Sequence, residues 1–361
     1  MFPLQLLYSV GAYWVAYTKS IDMSLLFDTL VMTLGTAALA IGVAYVWTFR
    51  RSSRIQPEQI LADGGRYVEL RDGRVAEYFD FGSSGLRGGE PSSQQVLLLF
   101  HGYTLSGAAA ESWHEECLRR GIRVIGVSMA GWGGSSPQHG RSYMDAGHDA
   151  LRVLEHAGVS DTQRLHVVGI SFGAGNAAAF AALCPPGRVR SLSLIVPAWP
   201  SMRSHNMWSG TPFVHWLTGQ PVCDRLWQYY IAPRLDIPSL LQQLAPQDWA
   251  EFVAKQGATA AQGMALQLQR STRYYHEGAC DGTRLLRSGG PALLAAGLPA
   301  WLALGRRVSV WYAKNDQLAP AHHGIFLARL LPDARVFAQD CGHLGMFASL
   351  APFLDEMETN P

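Results

Sequence analysis

The chain has 361 residues, 48% of them apolar and 16% charged, with a formal net charge of +1. That length holds one large α/β domain plus an attachment, and the composition is that of a globular protein. Near-neutral charge, with no basic stripe carrying interleaved aromatics, removes the electrostatic case for nucleic-acid binding. Cys117, Cys184, Cys223, Cys280 and Cys341 are odd in number and scattered, with no C-x-x-C pair. This argues against a disulfide framework and against a zinc site. There is no P-loop, no G-x-G-x-x-G at a first strand–helix turn and no internal repeat, so neither a cofactor nor a metal is expected.

Residues 1–50 read as a membrane anchor. Between Asp28 and Arg50 runs the uncharged stretch "TLVMTLGTAALAIGVAYVWTF", long enough to cross a bilayer core as a helix over residues 29–49. Tyr45 and Trp47 fall near one end, where interfacial aromatics belong. No basic segment precedes the stretch, which argues against a cleaved signal peptide. Residues 1–18 are also uncharged and contain Pro3, Gly11 and several aromatics; they suit a second span or a segment lying in the interface. Arg50, Arg51 and Arg54 follow the main stretch, whereas residues 19–28 set Lys19 against Asp22 and Asp28. Lys and Arg are retained on the cytosolic side, so the remainder of the chain is expected in the cytosol. None of Asn176, Asn206, Asn315 and Asn360 lies in an Asn-x-Ser/Thr acceptor, which agrees.

Residues 51–66 read as a polar linker. "RYVELRDGRVAEYFDF" gives two strands around the Asp72-Gly73 turn, and "SSGLRGGEPSSQ" is a loop by composition. "QVLLLF" reads as a buried strand running into His101-Gly102-Tyr103, and "IRVIGVSM" as another, ending in "AGWGGSSP". A helical segment follows through Asp149, Leu151, Leu154 and His156. The run from Leu165 to Ile170 is apolar and β-branched, as in a buried parallel strand, and Ala-rich helix follows from Asn176 to Leu183. "VRSLSLIVPAWP" is the next strand. After an aromatic-rich insert, "RRVSVWYA" and "ARVFAQ" read as strands, with "AHHGIFLARLL" and "LGMFASLAPFLDEM" as helices. Strands alternating with helices imply βαβ units and a mostly parallel central sheet with helices on both faces, the opening hairpin adding antiparallel strands at one edge.

Gly169-Ile170-Ser171-Phe172-Gly173 falls where the strand becomes helix. Glycine is common in tight turns and serine at helix starts, so the pattern can arise without function. Its strand–turn–helix setting, however, is that of a nucleophile elbow, in which a sharp turn presents the serine hydroxyl at the sheet edge.

With these elements in place the chain resembles the α/β-hydrolase superfamily over roughly residues 65–360, apart from the central insert. The resemblance rests on His101-Gly102 after the third strand, the elbow at Ser171, Asp316 just past "VSVWYA" and His343 in a Gly-His turn just past "ARVFAQ". Serine, then acid, then histidine is the order this fold uses. The resemblance implies an α/β-hydrolase core over residues 67–197 and 306–361, and a helical cap or lid over residues 198–305. It implies Ser171 as nucleophile, His343 as base and Asp316 as the acid that orients it, with backbone N–H groups of Tyr103 and Phe172 as oxyanion donors. These types fit the chemistry: a serine hydroxyl needs a base, an imidazole titrates near neutrality, and a carboxylate fixes its tautomer. Asp340, at the strand end before His343, is a rival for the acid. His322 and His323 open a helix and read as surface or packing residues; His114, His148, His156 and His166 have no partners at metal spacing. Ser128-Met129 stands where the family carries an Asp-Arg pair, which puts a local salt bridge there in doubt.

Serine at the nucleophile position disfavours the dehalogenase and epoxide-hydrolase activities of relatives that use aspartate. The His-x-x-x-x-Asp pattern linked with lysophospholipid acyl transfer is absent, since His343 is followed by "LGMFA", which puts Ala348 at the aspartate position. The insert holds Trp199, Trp208, Trp216, Trp227, Trp249 and Trp301 with Tyr229, Tyr230, Tyr274 and Tyr275; most are expected to pack the cap's own core. A roofed apolar pocket and a membrane anchor lead to the expectation of a serine esterase acting on a hydrophobic or lipid-like ester. The alternatives are a non-lipid ester, thioester or carbon–carbon substrate, or a binding protein that keeps the fold. The expected partners are that substrate and the lipid bilayer.

Overall fold

The computed structural model describes residues 31–40, 42, 55–82, 95–200, 239, 243, 245–271, 274–275 and 277–359. The chain divides into two compact units, Met1–Ser53 and Arg54–Pro361. Of the first unit, residues 31–40 and 42 are described, and they are helical. Among the described residues no helix is long and apolar enough to cross a membrane; the rest of the expected span over 29–49, and residues 1–18, lie outside them.

The second unit is built on an 8-stranded sheet of order β1-β2-β4-β3-β5-β6-β7-β8. The strands are β1 (Arg66–Glu69), β2 (Val75–Gly82), β3 (Gln95–Phe100), β4 (Ile122–Val127), β5 (Arg164–Ile170), β6 (Val189–Ile195), β7 (Val308–Ala313) and β8 (Arg335–Gln339). β2 runs antiparallel to β1 and β4; every other pairing is parallel. The mostly parallel sheet with an antiparallel edge agrees with the sequence reading.

The helices are α1 (Pro57–Ala62), α2 (His114–Arg119), α3 (Tyr143–His156), α4 (Gly173–Leu183), α5 (Pro246–Ser271), α6 (Glu277–Ser288), α7 (Gly290–Leu304), α8 (His322–Leu330) and α9 (Ala351–Thr359). Because consecutive strand residues point to opposite faces, continuous apolar strands feed two cores. Leu98, Phe100, Val167, Leu192 and Val310 pack with residues of α3, α4, α7 and α8. Leu97, Leu99, Val168, Ile195 and Trp311 pack with Ala110, Trp113 and Cys117 on one side of the chain and Phe353, Leu354 and Met357 of α9 on the other.

Three local readings are corrected. The stretch 51–66 is not all linker: α1 forms over Pro57–Ala62, with Pro at its start and Gln56 and Gln59 completing a capping box. A 3-10 segment, Gly107–Trp113, and α2 occupy a region where no element is expected; the small residues there let Gly107 lie directly against Gly126 of β4. The last helix is two pieces, a 3-10 turn over Leu344–Ala348 and α9, with extended Ser349 between them and Pro352, which has no backbone N–H, in the first turn of α9.

Candidate active site

Ser171 sits between β5 and α4 with φ of 52°. This left-handed conformation is costly for a residue with a Cβ, and it persists only where neighbours over-determine it. Here the Ser171 N–H donates to Ile195 O at 2.9 Å, and Ser171 O accepts from Ala198 N–H at 3.0 Å and Ala174 N–H at 3.1 Å. The flanking glycines permit the turn. A Cβ on Gly173 would lie 2.2 Å from Phe100 O, and one on Gly169 would lie 2.6 Å from Ala177 Cβ, so helix and strand approach only because both are bare.

The loop after β3 comes up beside the serine: a Cβ on Gly102 would lie 3.6 Å from Ser171 Cβ. His101 is fully buried and fixed from both sides. Its Nδ1–H donates to Gly102 O at 2.8 Å, and its Nε2 accepts from Met129 N–H at 3.1 Å. Burial pushes its pKa down to about 3, so the ring is neutral. The Tyr103 ring stands edge-on to Phe172 and to Trp132, and its hydroxyl meets Thr283 Oγ1 of α6 at 3.0 Å. Ser128 replaces the expected salt-bridge position with a buried hydroxyl, donating to Glu77 Oε2 at 2.5 Å and accepting from Gly107 N–H at 2.9 Å.

Asp316, beyond the end of β7, accepts from Leu318 N–H at 2.8 Å and Ala319 N–H at 2.6 Å through Oδ1. Its Oδ2 accepts from His343 Nδ1–H at 2.7 Å. Three N–H donors thus fix the orientation of this carboxylate. Burial pulls the His343 pKa down, but the Asp316 charge and hydrogen bond, with the charge of Asp248, hold it above the ordinary imidazole value. The rival acid is elsewhere engaged: Asp340 is exposed and accepts from Asn315 Nδ2 at 3.0 Å. His323 is buried, accepts from Trp199 N–H at 2.8 Å and has its pKa pushed down to about 4 by burial, a packing role. Among the described residues no cluster of three His, Cys, Asp or Glu could hold a metal ion.

Nothing in the sequence marks Asp248. It lies on α5, in the insert between β6 and β7, and is 1% exposed. Its Oδ2 accepts from Gln317 N–H at 3.2 Å, one residue past the acid. Glu251, one turn on, accepts from Gly342 N–H at 2.8 Å, one residue before the histidine. A lone acidic residue in an insert has no motif around it.

The other insert helices also meet the core. Trp301 of α7 packs edge-on to Trp199 and donates to Ala178 O of α4 at 2.8 Å. Tyr274 bonds Asp63 Oδ2 at 2.7 Å, and Tyr275 Oη accepts from Ile55 N–H at 3.1 Å. These aromatics therefore bind the insert to the core rather than only to itself. Trp208, Trp216, Trp227, Tyr229 and Tyr230 lie outside the described residues. Under α6, Arg141 is fully buried with no partner for Nε, Nη1 or Nη2 among the described residues, while its carbonyl accepts from Arg284.

Comparison with known proteins bears on the fold. A family model described as alpha/beta hydrolase fold matches residues 95–349. A 2-hydroxy-6-oxononadienedioate/2-hydroxy-6-oxononatrienedioate hydrolase of Pseudomonas putida is 24% identical over 309 residues, covering 81% of this chain and 94% of its own. Among solved structures, an esterase from Exiguobacterium antarcticum superposes with a TM-score of 0.56 at 21% identity, over 82% of this chain and 97% of its own. An enol-lactonase from Burkholderia xenovorans LB400 gives 0.56 at 15% identity, over 81% and 99%.

Proposed function

We propose, from the premise that this chain belongs to the α/β-hydrolase family, that it is a serine hydrolase cleaving a hydrophobic or lipid-like carboxylic ester. The observation that carries the reading is the 2.7 Å bond between Asp316 and His343, on loops at the same sheet edge as a strained, partly exposed Ser171. Asp316 holds the proton on His343 Nδ1, which leaves Nε2 free to take the Ser171 proton as Oγ attacks the ester carbonyl. The oxyanion is met by the backbone N–H groups of Tyr103 and Phe172. His343 then protonates the leaving alcohol, and water, deprotonated by the same imidazole, releases the acid from the acyl-enzyme.

Residues 198–305 form the cap in this reading, roofing a largely apolar acyl pocket. The amino-terminal segment anchors the enzyme in a bilayer over residues 29–49, with the catalytic unit in the cytosol as Arg50, Arg51 and Arg54 direct. A second reading has one specific support, the name of the Pseudomonas putida relative: the same triad hydrolysing a carbon–carbon bond beside a ketone.

The test is a series of p-nitrophenyl esters of increasing chain length, with a fluorophosphonate probe and Ser171→Ala as control. Rising kcat/KM with chain length supports the lipid-like ester. Flat, weak ester turnover with rapid cleavage of a vinylogous diketone acid supports the second reading. Turnover or labelling retained by Ser171→Ala overturns both. For the anchor, digestion of a C-terminal epitope by protease outside sealed microsomes supports the orientation, and protection until detergent is added overturns it.

A further inference from the structure

Two carboxylates of α5 reach both loops of the triad. Asp248 is bound to the acid loop through Gln317 N–H, and Glu251 to the histidine loop through Gly342 N–H. Gln247 N–H donates to Gln317 Oε1 at 3.2 Å, and Gln256 Nε2 donates to Ala348 O at 2.9 Å. The glycines of the histidine loop are shaped to this helix. A Cβ on Gly342 would lie 1.6 Å from Asp248 Oδ1, and one on Gly345 would lie 2.8 Å from Glu251 Oε1. A Cβ at Gly342 could therefore be admitted only by moving the Asp248 carboxylate away.

We infer that Asp248 is a positioning residue supplied by the insert: a second buried carboxylate that fastens the acid and histidine loops and stabilises the imidazolium formed when His343 takes the serine proton. The inference rests on the triad reading above. Asp248 does not touch the reacting atoms. Burial, with the like charge of Asp316, holds its carboxyl above the ordinary carboxylate range, while the backbone N–H groups of Gln317 and His343 and the charge of His343 favour the ionised form. Charge on Asp248 adds to that of Asp316 at the imidazole. The charged groups around His343 are Asp316 from the loop after β7, Asp248 and the Glu251–Lys255 pair from α5, and Asp340 beside Cys341 on its own loop. Of these, Glu251 is paired with Lys255 at 2.5 Å and Asp340 is exposed, which leaves Asp248 as the added charge. Catalytic competence then depends on the seating of an insert helix, so the element that roofs the site also sets the basicity of its base.

The experiment measures the rate of fluorophosphonate inactivation against pH for the full chain in detergent, which needs no knowledge of the substrate. Wild type, Asp248→Asn, Asp248→Glu and Glu251→Gln are compared, with Ser171→Ala as the check on the triad reading. Asp248→Asn is expected to move the acidic limb downward by half a pH unit or more and to lower the plateau rate at least tenfold. Asp248→Glu keeps the charge and is expected to restore the wild-type limb. Glu251→Gln is expected to lower the plateau and leave the limb in place. A limb for Asp248→Asn that superimposes on wild type overturns the inference. If Asp248→Asn does not fold, Gly342→Ala displaces the carboxylate without removing it, and the same downward movement is expected; an unmoved limb again overturns the inference. Labelling of Ser171→Ala would instead show that the triad reading had failed.

Discussion

The carboxylate of Asp316 and the imidazole of His343 meet at 2.7 Å across a sequence separation of 27 residues. Asp316 is satisfied on its other oxygen by two backbone N–H groups, so its orientation is set before the histidine arrives. Asp340, nearer in sequence, spends its side chain on Asn315. Asp316→Asn is therefore expected to lower kcat by about 10,000-fold, the scale for losing the correct histidine tautomer. Asp340→Asn is expected to stay within about threefold of wild type. Parallel kinetics on one p-nitrophenyl ester check this, and the reverse ranking would move the acid role to Asp340.

Ser171 carries backbone strain that only its surroundings maintain. Ser171→Gly removes both the proposed nucleophile and the Cβ penalty. It is expected to abolish turnover while raising the thermal midpoint, by a stabilisation on the order of 1 kcal/mol. Ser171→Ala keeps the Cβ and is expected to be inactive without that gain. Calorimetry of the three proteins decides; a Gly variant no more stable than the Ala variant would show that the turn stores no strain.

His343 is held above the ordinary imidazole value of about 6.5. In the proposed mechanism the neutral ring is the base, so kcat/KM is expected to fall as pH drops through a value above 6.5. Stability runs the other way. The Asp316–His343 pair contributes fully below about 6.5, and that contribution is lost as pH rises through the folded pKa. Activity and the His343 contribution to the thermal midpoint should thus move in opposite directions across this window, as His343→Gln compared with wild type at pH 6 and 9 would reveal.

Arg141 is a fully buried cation with no bonded nitrogen among the described residues. Burial pushes its pKa down, opposed most by Asp281. An uncompensated buried charge is destabilising, and an apolar replacement of similar length removes the cost. Arg141→Met is expected to raise the unfolding free energy by about 1 kcal/mol or more, measured by urea denaturation. A fall of that size would show that the guanidinium has a stabilising partner.

Much of the core was legible because its signals are local. Leu97 and Leu98 belong to an unbroken apolar run whose alternate residues enter different cores, and such a run can only be a strand covered on both faces. Ser171 stood out because the glycines around it are required by contacts within one strand–turn–helix unit. Asp316 and His343 were found by their place after strands, and the structure joins them. What escaped was long-range. Asp248 and Gln317 are far apart in sequence, and nothing in "APQDWAEF" foretells that one carboxylate will face a distant loop. α1 was missed because Pro57 and Gln59 matter as capping groups, which polar composition conceals.

His101 has a consequence beyond its own loop. Because the ring is neutral, enclosed and bonded at both nitrogens, it takes up no proton over the range in which His343 does. On the proposed mechanism, mild acid is therefore expected to silence the base while leaving the loop held by His101 intact. The loop proposed to receive the negative oxygen keeps its shape while the proposed base is switched off. A sample taken briefly to pH 5 and returned to pH 8 should resume turnover with no refolding lag, behaving as a proton-gated catalyst rather than an acid-labile one.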